Sequence, residues 1–367
     1  MHKNESGLHR HSVGLVGVRG YSGLELARVL LGHPCADLQG CYISSDMEAD
    51  DYLPADEAKR LKLKPMAELE TDASGLHTVF LATPAEVSLE LAPKLLAAGT
   101  NVIDLSGAFR LKAGGRETQL ANYMRWYGLV HPQPELLETA TYGLFPWAKV
   151  NGKGGKGQLI ANPGCYATSI LLGLIPLLKA SLVNIDSIVV DAKSGTSGAG
   201  RKATENLLFT EVEGECLPYR VGRHQHMPEI QQTLAALTGV KVDLALATHL
   251  IPVRRGIISS IYARLNAGSD AKAVANAYGR AFEGYPLVQV EELAQAEGRG
   301  NQFALSLRRV VGTPAARIVF RVEEERLYVF SLIDNLMKGA ATQAVENFNR
   351  LTGLAPETGL MASKGVL

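Results

Sequence analysis

The sequence predicts an α/β protein built on a doubly wound parallel sheet, and three observations carry that expectation. Short apolar runs alternate with segments of helical periodicity through the first 105 residues, which is the rhythm of β-α-β units. The first of those runs ends in a glycine turn, Gly17, Gly20 and Gly23, and opens into a helix. At 367 residues the chain is also long enough for two domains, each with a sizeable core.

Composition removes several alternatives. Hydrophobic residues at 46% and charged residues at 20% describe an ordinary globular chain. Lys plus Arg and Asp plus Glu both number 37, so bulk charge points to neither nucleic acid nor an anionic membrane, and neither is expected as a partner. Apolar runs such as 170–178 fall well short of the roughly 20 residues of a spanning helix. Residues 1–12 are polar and dotted with histidine, without the apolar centre of a secretory signal. Cys35, Cys41, Cys165 and Cys216 have neither metal spacing nor the density of a disulfide framework. The expectation is a reduced, cytoplasmic protein with no metal.

The first strand is expected at 13–16 and the helix after the glycine turn at 24–31. Leu24, Ala27, Leu30 and Leu31 share one face of that helix, Gly32 suits its C-cap, and Pro34 follows. Glycines at such a turn let the backbone approach a pyrophosphate that the helix N-terminus then binds. Gly17, Gly20, Tyr21, Ser22 and Gly23 are therefore candidate dinucleotide ligands. Their spacing is G-x-x-G-x-x-G rather than G-x-G-x-x-G, and a glycine turn without a ligand is the competing reading.

A second strand at 37–43 runs into Ser44, Ser45 and Asp46, where a dinucleotide fold contacts the adenosine ribose. Two hydroxyls suit a 2′-phosphate and Asp46 suits a free 2′-hydroxyl, so the residues alone leave NADP and NAD open. A strand at 77–82 ends in Thr83 and Pro84, a helix at 87–98 is closed by Gly99, and a strand at 101–105 follows. The loop 106–110 then lies at the carboxyl end of a strand, where ligands gather, which makes Arg110 either an anion clamp or a surface arginine. Residues 111–157, rich in Gly, Pro and aromatics, are expected to form an exposed loop with Lys153 and Lys156 solvated.

Next comes a strand at 159–161, a turn at Asn162, Pro163 and Gly164, and an apolar helix at 166–175 stopped or kinked by Pro176. Cys165 is thereby set at a helix N-terminus, where free amides and the positive end of the dipole favour thiolate, the nucleophilic form. The same amides can hold an oxyanion made by attack on a carbonyl. The plain alternative is that Cys165 is a small buried hydrophobe.

Past that helix, a strand at 188–192 aims the loop 193–202, which holds Ser197, Gly198 and Arg201 among small residues and cations. Such a loop cradles an anion through backbone N–H groups, unless it is only a flexible linker. His224 and His226 precede a helix, and Glu229, three residues after His226, stands where a carboxylate orients an imidazole. A His-x-His metal site lacks further ligands at usable spacing. Acid or base work beside a thiol nucleophile fits better. Strands at 243–248 and 257–265 are joined through 249–256, which includes Arg255. Further β-rich segments lie at 303–310, 317–322 and 327–333, and residues 334–341 lead into an alanine-rich helix ending at 349.

Several distinctive strings now stand in a fixed order: Gly17-x-x-Gly20-Tyr21-x-Gly23, residues 102–106 with Phe109 and Arg110, and Ala161-Asn162-Pro163-Gly164-Cys165-Tyr166. They continue with residues 193–202, His224-x-His226-x-Pro228-Glu229-Ile230, residues 249–252 with Arg255 and Gly256, and residues 334–341. Over about residues 13–354 the chain resembles the N-acetyl-gamma-glutamyl-phosphate reductases, arginine-pathway relatives of aspartate-semialdehyde dehydrogenase. The resemblance implies a Rossmann-type dinucleotide-binding domain, residues 1–164, completed by the C-terminal segment 334–367. It implies an inserted α+β domain, 165–333, that carries catalysis and dimer contacts, in a homodimer or tetramer.

NADP is the implied cofactor, held by the glycine turn, Ser44, Ser45, Pro84, Ser197, Gly198 and Asn335. The implied reaction reduces an acyl phosphate to a semialdehyde through a Cys165 thioester, with His226, or failing it His224, handling the proton. Arg110, Asn162, Ser197, Arg201 and Arg255 are then the groups expected to grip substrate carboxylate or phosphate. Two stretches depart from the family: Pro84-Ala85-Glu86 stands where a Pro-His-Gly type turn is common, and Ser44-Ser45-Asp46 has no nearby arginine. Competing readings are an aminoadipyl or aspartyl phosphate as substrate, and an NADP-binding redox sensor that uses Cys165 without turnover. The sensor reading leaves the histidine segment and the cationic loops unexplained.

Overall fold

A computed structural model describes residues 9–44, 58–112, 114–150, 157–293 and 303–361. The chain divides into two compact units, one running to Pro163 and taking in the segment from Ala340, the other from Gly164 to Gly339.

In the first unit the strands are β1 (His11–Val16), β2 (Ala36–Ile43), β3 (Leu63–Pro65), β4 (Thr78–Leu81), β5 (Asn101–Asp104), β6 (Thr141–Tyr142) and β7 (Leu159–Ala161). They form one parallel sheet in the order β3-β2-β1-β4-β5-β7-β6. β4 and β5 are buried at every residue, as parallel strands covered on both faces must be. Helices α1 (Tyr21–Gly32) and α2 (Ala85–Ala97) return the chain between strands. Val79 and Leu81 of β4 pack in one cluster with Leu89, Ala92 and Leu95 of α2. The alternate residue Phe80 points the other way and meets Phe348, centroids 6.0 Å apart.

In the second unit the strands are β8 (Val189–Gly195), β9 (Leu217–Pro218), β10 (Ala245–Ile251), β11 (Ile257–Arg264), β12 (Val288–Glu292), β13 (Ala316–Glu323) and β14 (Arg326–Ile333). Their sheet is mixed, in the order β12-β13-β14-β11-β8-β10-β9. The long helix through residues 165–179 packs on β11 and β14 and against two further helices of the unit. Of its 15 residues, every one from Tyr166 to Leu178 is buried, so it is apolar all round. Among the described residues no helix is long and apolar enough to cross a membrane.

The structure corrects several expectations. Residues 111–150 are not an exposed loop: they hold α3 (Arg116–Tyr127), α4 (Glu135–Thr139) and β6, with Tyr123, Leu137, Ala140 and Leu144 buried. α3 buries only Gln119 and Tyr123, too little to print an apolar stripe on the sequence. The cysteine helix, α5 (Cys165–Lys179), runs through Pro176 to Lys179, because a proline in the last turn removes one hydrogen bond from a helix whose burial continues past it. Gly32 ends α1 as a helical residue, and His33 with extended backbone takes the C-cap.

Residues 303–310 are helical turns rather than strand, including a 3-10 turn at Leu307–Arg309; their alternating apolar residues Leu305 and Leu307 pack instead on Val319 and Leu332. Lys193 to Gly195, expected in the anion loop, complete β8. The helix α6 (His226–Thr238) begins at His226 itself, and α7 (Ala271–Ala281) and β12 had no counterpart in the expectation. The alanine-rich helix is α8 (Thr342–Leu351), preceded by a π-helical turn at Met337–Ala341. Ser45, Asp46, Lys153 and Lys156 lie outside the described residues.

Candidate active site

The glycine turn of the first unit is built for close approach. Gly17 has φ +94°, and a Cβ there would strike the carbonyl of Ala82. A Cβ on Gly23 would strike the carbonyl of Gly17. Gly20 is the N-cap of α1 in extended conformation, with no side-chain cap and no acidic residue in the first turn. The amides of that turn thus keep their positive end for an anion, and the residues fit a dinucleotide pyrophosphate. Tyr21 and Ser22 are the first residues of α1, and Ser44 is exposed just past β2. Pro84 is the N-cap of α2, also in extended conformation.

In the second unit, Cys165 is the first residue of α5 and is partly exposed. Its N-cap is Gly164, φ −71° and ψ 152°, again with no side-chain cap. Two glycines let other groups close on this cysteine. A Cβ on Gly164 would be driven into the His226 imidazole at Nε2, and one on Gly339 would sit 2.8 Å from the Cys165 Cβ. Gly339 reaches that place in the π turn, where its N–H donates to the Asp334 carbonyl five residues back at 2.9 Å.

The histidines are set by the start of α6. His226 is its first residue and is buried. His224 lies just before, in an aromatic box of Tyr166, Tyr219 and His226 with centroids 5.1, 5.6 and 4.8 Å away. Its Nδ1 accepts the His226 N–H at 3.2 Å. Burial first, then the charges of His226 and Arg220, push the His224 pKa down to about 2, so this ring stays neutral. Tyr219 donates to the Tyr166 hydroxyl at 3.1 Å, and Tyr166 donates to the His249 carbonyl at 3.3 Å. Glu229, fully buried one turn into α6, accepts the Gly164 N–H at 2.8 Å. The carboxylate expected to serve the imidazole therefore reaches the turn just before Cys165.

Other expected residues divide by environment. Arg110 is buried, not a surface arginine: its Nε donates to the Asn162 carbonyl at 2.8 Å and its Nη2 to the Leu105 carbonyl at 2.7 Å. Asn162 was expected to touch substrate, yet it is 1% exposed and laced on every polar group. Its N–H donates to the Asp104 carbonyl (2.8 Å), its Nδ2 to the Ala340 carbonyl (3.2 Å), and its Oδ1 accepts from Asn347 (3.1 Å). A side chain so buried and bonded at both amide atoms braces the turn before the cysteine.

Arg255 forms a 2.9 Å ion pair with buried Asp334, whose carboxylate also accepts N–H groups from Gly312, Leu336 and Met337. Asn335 is buried; it accepts the Gly256 N–H at 2.8 Å and donates to Ser197 Oγ at 3.0 Å. Gly198 and Arg201 are exposed in and after the 3-10 turn Thr196–Ala199. The second unit thus brings Cys165, His224, His226 and Glu229 together, and gathers Ser197, Arg255 and Asn335 around residues 334–335.

Gly339 and Asn347 were not singled out from sequence. Gly339 sat inside the recognised 334–341 string without a role, and Asn347 sits in a helix whose burial is nearly total, including Gln343, Glu346 and Asn349. Buried polar residues on one helix are legible only once the fold is known. Among the described residues no group of three or more His, Cys, Asp or Glu converges as a metal site.

A semialdehyde dehydrogenase NAD-binding domain matches residues 12–151, and a semialdehyde dehydrogenase dimerisation domain matches residues 165–335. Proteins named N-acetyl-gamma-glutamyl-phosphate reductase from Geobacillus stearothermophilus and Shouchella clausii are 41% and 40% identical to this chain. Both alignments cover 95% of the chain, and 97% and 98% of those proteins. Aspartate semialdehyde dehydrogenase II of Vibrio cholerae, complexed with ASA, matches with a TM-score of 0.68 at 19% identity, over 94% of this chain and 99% of that one. The aspartate semialdehyde dehydrogenase with NADP from Candida albicans matches at 0.60 with 14% identity, over 94% and 99%. Likenesses that distant speak for the fold, whereas identity near 40% over almost the whole length speaks for descent. The chain belongs to the N-acetyl-gamma-glutamyl-phosphate reductase family, within the semialdehyde dehydrogenases.

Proposed function

We propose that the protein reduces N-acetyl-L-glutamyl 5-phosphate to N-acetyl-L-glutamate 5-semialdehyde and phosphate, using NADPH, in arginine biosynthesis. The observation that carries this reading is the closure of His226 on Gly164 and of Gly339 on Cys165 at the uncapped start of α5. When bound, the cofactor supplies a hydride, and the glycine turn at 17–23 is the place to hold its pyrophosphate.

The chain's own groups do the rest. Cys165 thiolate forms a carbon–sulfur bond at the acyl-phosphate carbonyl, the amides of the first turn of α5 take the oxyanion, and the carbon–oxygen bond to phosphate breaks to leave a thioester. After reduction at that carbon, the thiohemiacetal loses its carbon–sulfur bond to give the aldehyde and thiolate, with His226 moving the proton. His224 is the weaker choice for that transfer, because burial disfavours the protonated ring. Ser197, Arg201 and Arg255 are the groups we assign to the substrate's anionic ends, with Arg110 and Asn162 bracing the turn before Cys165. The match of residues 165–335 to a dimerisation domain supports a homo-oligomer as the working form.

Phosphate-dependent reduction of NADP with N-acetylglutamate semialdehyde, run beside aspartate and aminoadipate semialdehydes, tests the substrate. The N-acetylglutamate compound should be used with the highest kcat/KM, and preference for either other aldehyde would reassign the pocket. Parallel runs with NAD check the cofactor: equal or better use of NAD would move the ribose contact from hydroxyls to Asp46.

A further inference from the structure

The start of α6 presents two side chains to one dipeptide. His226 and Glu229 are three residues apart, so they lie on one face of the helix a single turn from each other. The His226 imidazole packs over the Cα of Gly164, and the Glu229 carboxylate accepts the N–H of the same residue at 2.8 Å. Gly164 is the N-cap of α5 and is bonded directly to Cys165. Neither contact tolerates much slack, since Gly164 has no room for a methyl group beneath the ring. Glu229 itself is fully buried, and a buried carboxylate bonded to a fixed amide is held in one place.

We propose that Glu229 is a positioning residue for the nucleophile: it holds the Gly164 amide, and so fixes Cys165 in register with the His226 imidazole that shares its helix turn. This role rests on the thiol mechanism proposed above, but it differs from orientation of the imidazole by charge. A hydrogen-bond acceptor at the Glu229 position is what the role requires, and a negative charge is not. Thiol and imidazole then move together because one helix turn grips the backbone beside the sulfur and carries the ring.

The test compares Glu229→Ala with Glu229→Gln in the full-length enzyme. Glutamine keeps an acceptor oxygen at the same reach and removes the charge; alanine removes both. Displacing a reacting group by about 1 Å costs on the order of 10²-fold, so E229A should lose about that factor in kcat with KM for the semialdehyde little changed, and E229Q should restore kcat to within about fivefold of the parent. The rate of Cys165 alkylation by iodoacetamide, which needs no turnover, should follow the same order.

Parental kcat in E229A, or an E229Q variant as damaged as E229A, overturns the proposal; the second result would assign the role to charge acting on the imidazole. Should E229A fail to fold, E229Q decides alone: kcat within about fivefold of the parent supports the role, and a loss of about 10²-fold overturns it. Turnover by Cys165→Ser at the parental rate would instead sink the thiol mechanism, a failure distinguishable from either of these.

Discussion

At the residue scale the site turns on Cys165, whose surroundings separate it from the other thiols. Burial raises the Cys35 thiol pKa and pushes that of Cys41 up to about 12, whereas Cys165 is partly exposed at a helix N-terminus. Iodoacetamide near neutral pH should therefore label Cys165 well before Cys35 or Cys41, and NADP with substrate should protect Cys165 but not exposed Cys216; peptide mapping checks both. Cys165→Ser should keep cofactor binding and lose nearly all reduction, since a serine hydroxyl is not ionised at pH 7. His226→Ala should slow single turnovers by 10²-fold or more on the usual scale of general acid–base catalysis, and His224→Ala by much less. The reverse order would reassign the proton carrier. Much of this was legible in the sequence because Asn162, Pro163 and Gly164 announce the turn and the apolar run after Cys165 announces the helix. What the sequence could not announce is contact across elements. That Glu229 bonds to Gly164, 65 residues away, or that Asn335 ties Ser197 to Gly256, follows from packing alone.

Among the elements, the segment from α3 to β6 does the most that sequence did not foretell. His131, its pKa lowered chiefly by burial, meets the Ala108 carbonyl at 3.0 Å, and the Tyr123 hydroxyl accepts the Leu111 N–H at 3.1 Å. Gly107 lies against the ring of Tyr127. Three contacts thus clamp the loop that carries Arg110. Tyr123→Phe should leave the buried Leu111 amide without that acceptor and cost about 1–3 kcal/mol of stability, read by urea unfolding. A change under about 0.3 kcal/mol would show that the clamp does not depend on this bond. The β-α-β rhythm was readable because β4 and β5 are largely apolar runs buried at every residue and α2 buries Leu89, Leu91, Ala92 and Leu95, while α3 buries a tyrosine and a glutamine and leaves no periodic trace. Residues 303–310 misled for the converse reason: their apolar residues alternate, but the backbone they sit on is helical.

For the molecule as a whole, buried and half-buried histidines make stability depend on pH. His224 is held to about 2 and His11 to about 4, each mainly by burial, and His33 is lowered for the same reason. The unfolded chain binds protons at these positions below about pH 6.5 while the folded chain does not, so their contribution is complete above that pH and declines as pH falls toward the folded values. Each such histidine adds a slope of up to about 1.4 kcal/mol per pH unit. The urea midpoint should fall between pH 7 and pH 5, and His224→Gln should flatten the fall; a flat parental profile would mean these rings protonate in the folded state. The two-unit division was partly readable from length, while the return of the chain to the first unit was implied by the family resemblance and not by composition or spacing. That return has a consequence for synthesis. Phe348 lies within about 6 Å of Phe80, His33 and His11, and Asn349 bonds to His33, so the sheet laid down by the N-terminal strands stays uncovered where α8 will sit. At roughly 5–20 residues per second, the ribosome needs some 10–40 seconds to pass from Pro163 to Leu351. Throughout that interval the nascent chain carries an apolar surface that its own last helix has yet to cover, and it is then that the protein is most open to chaperones and to aggregation.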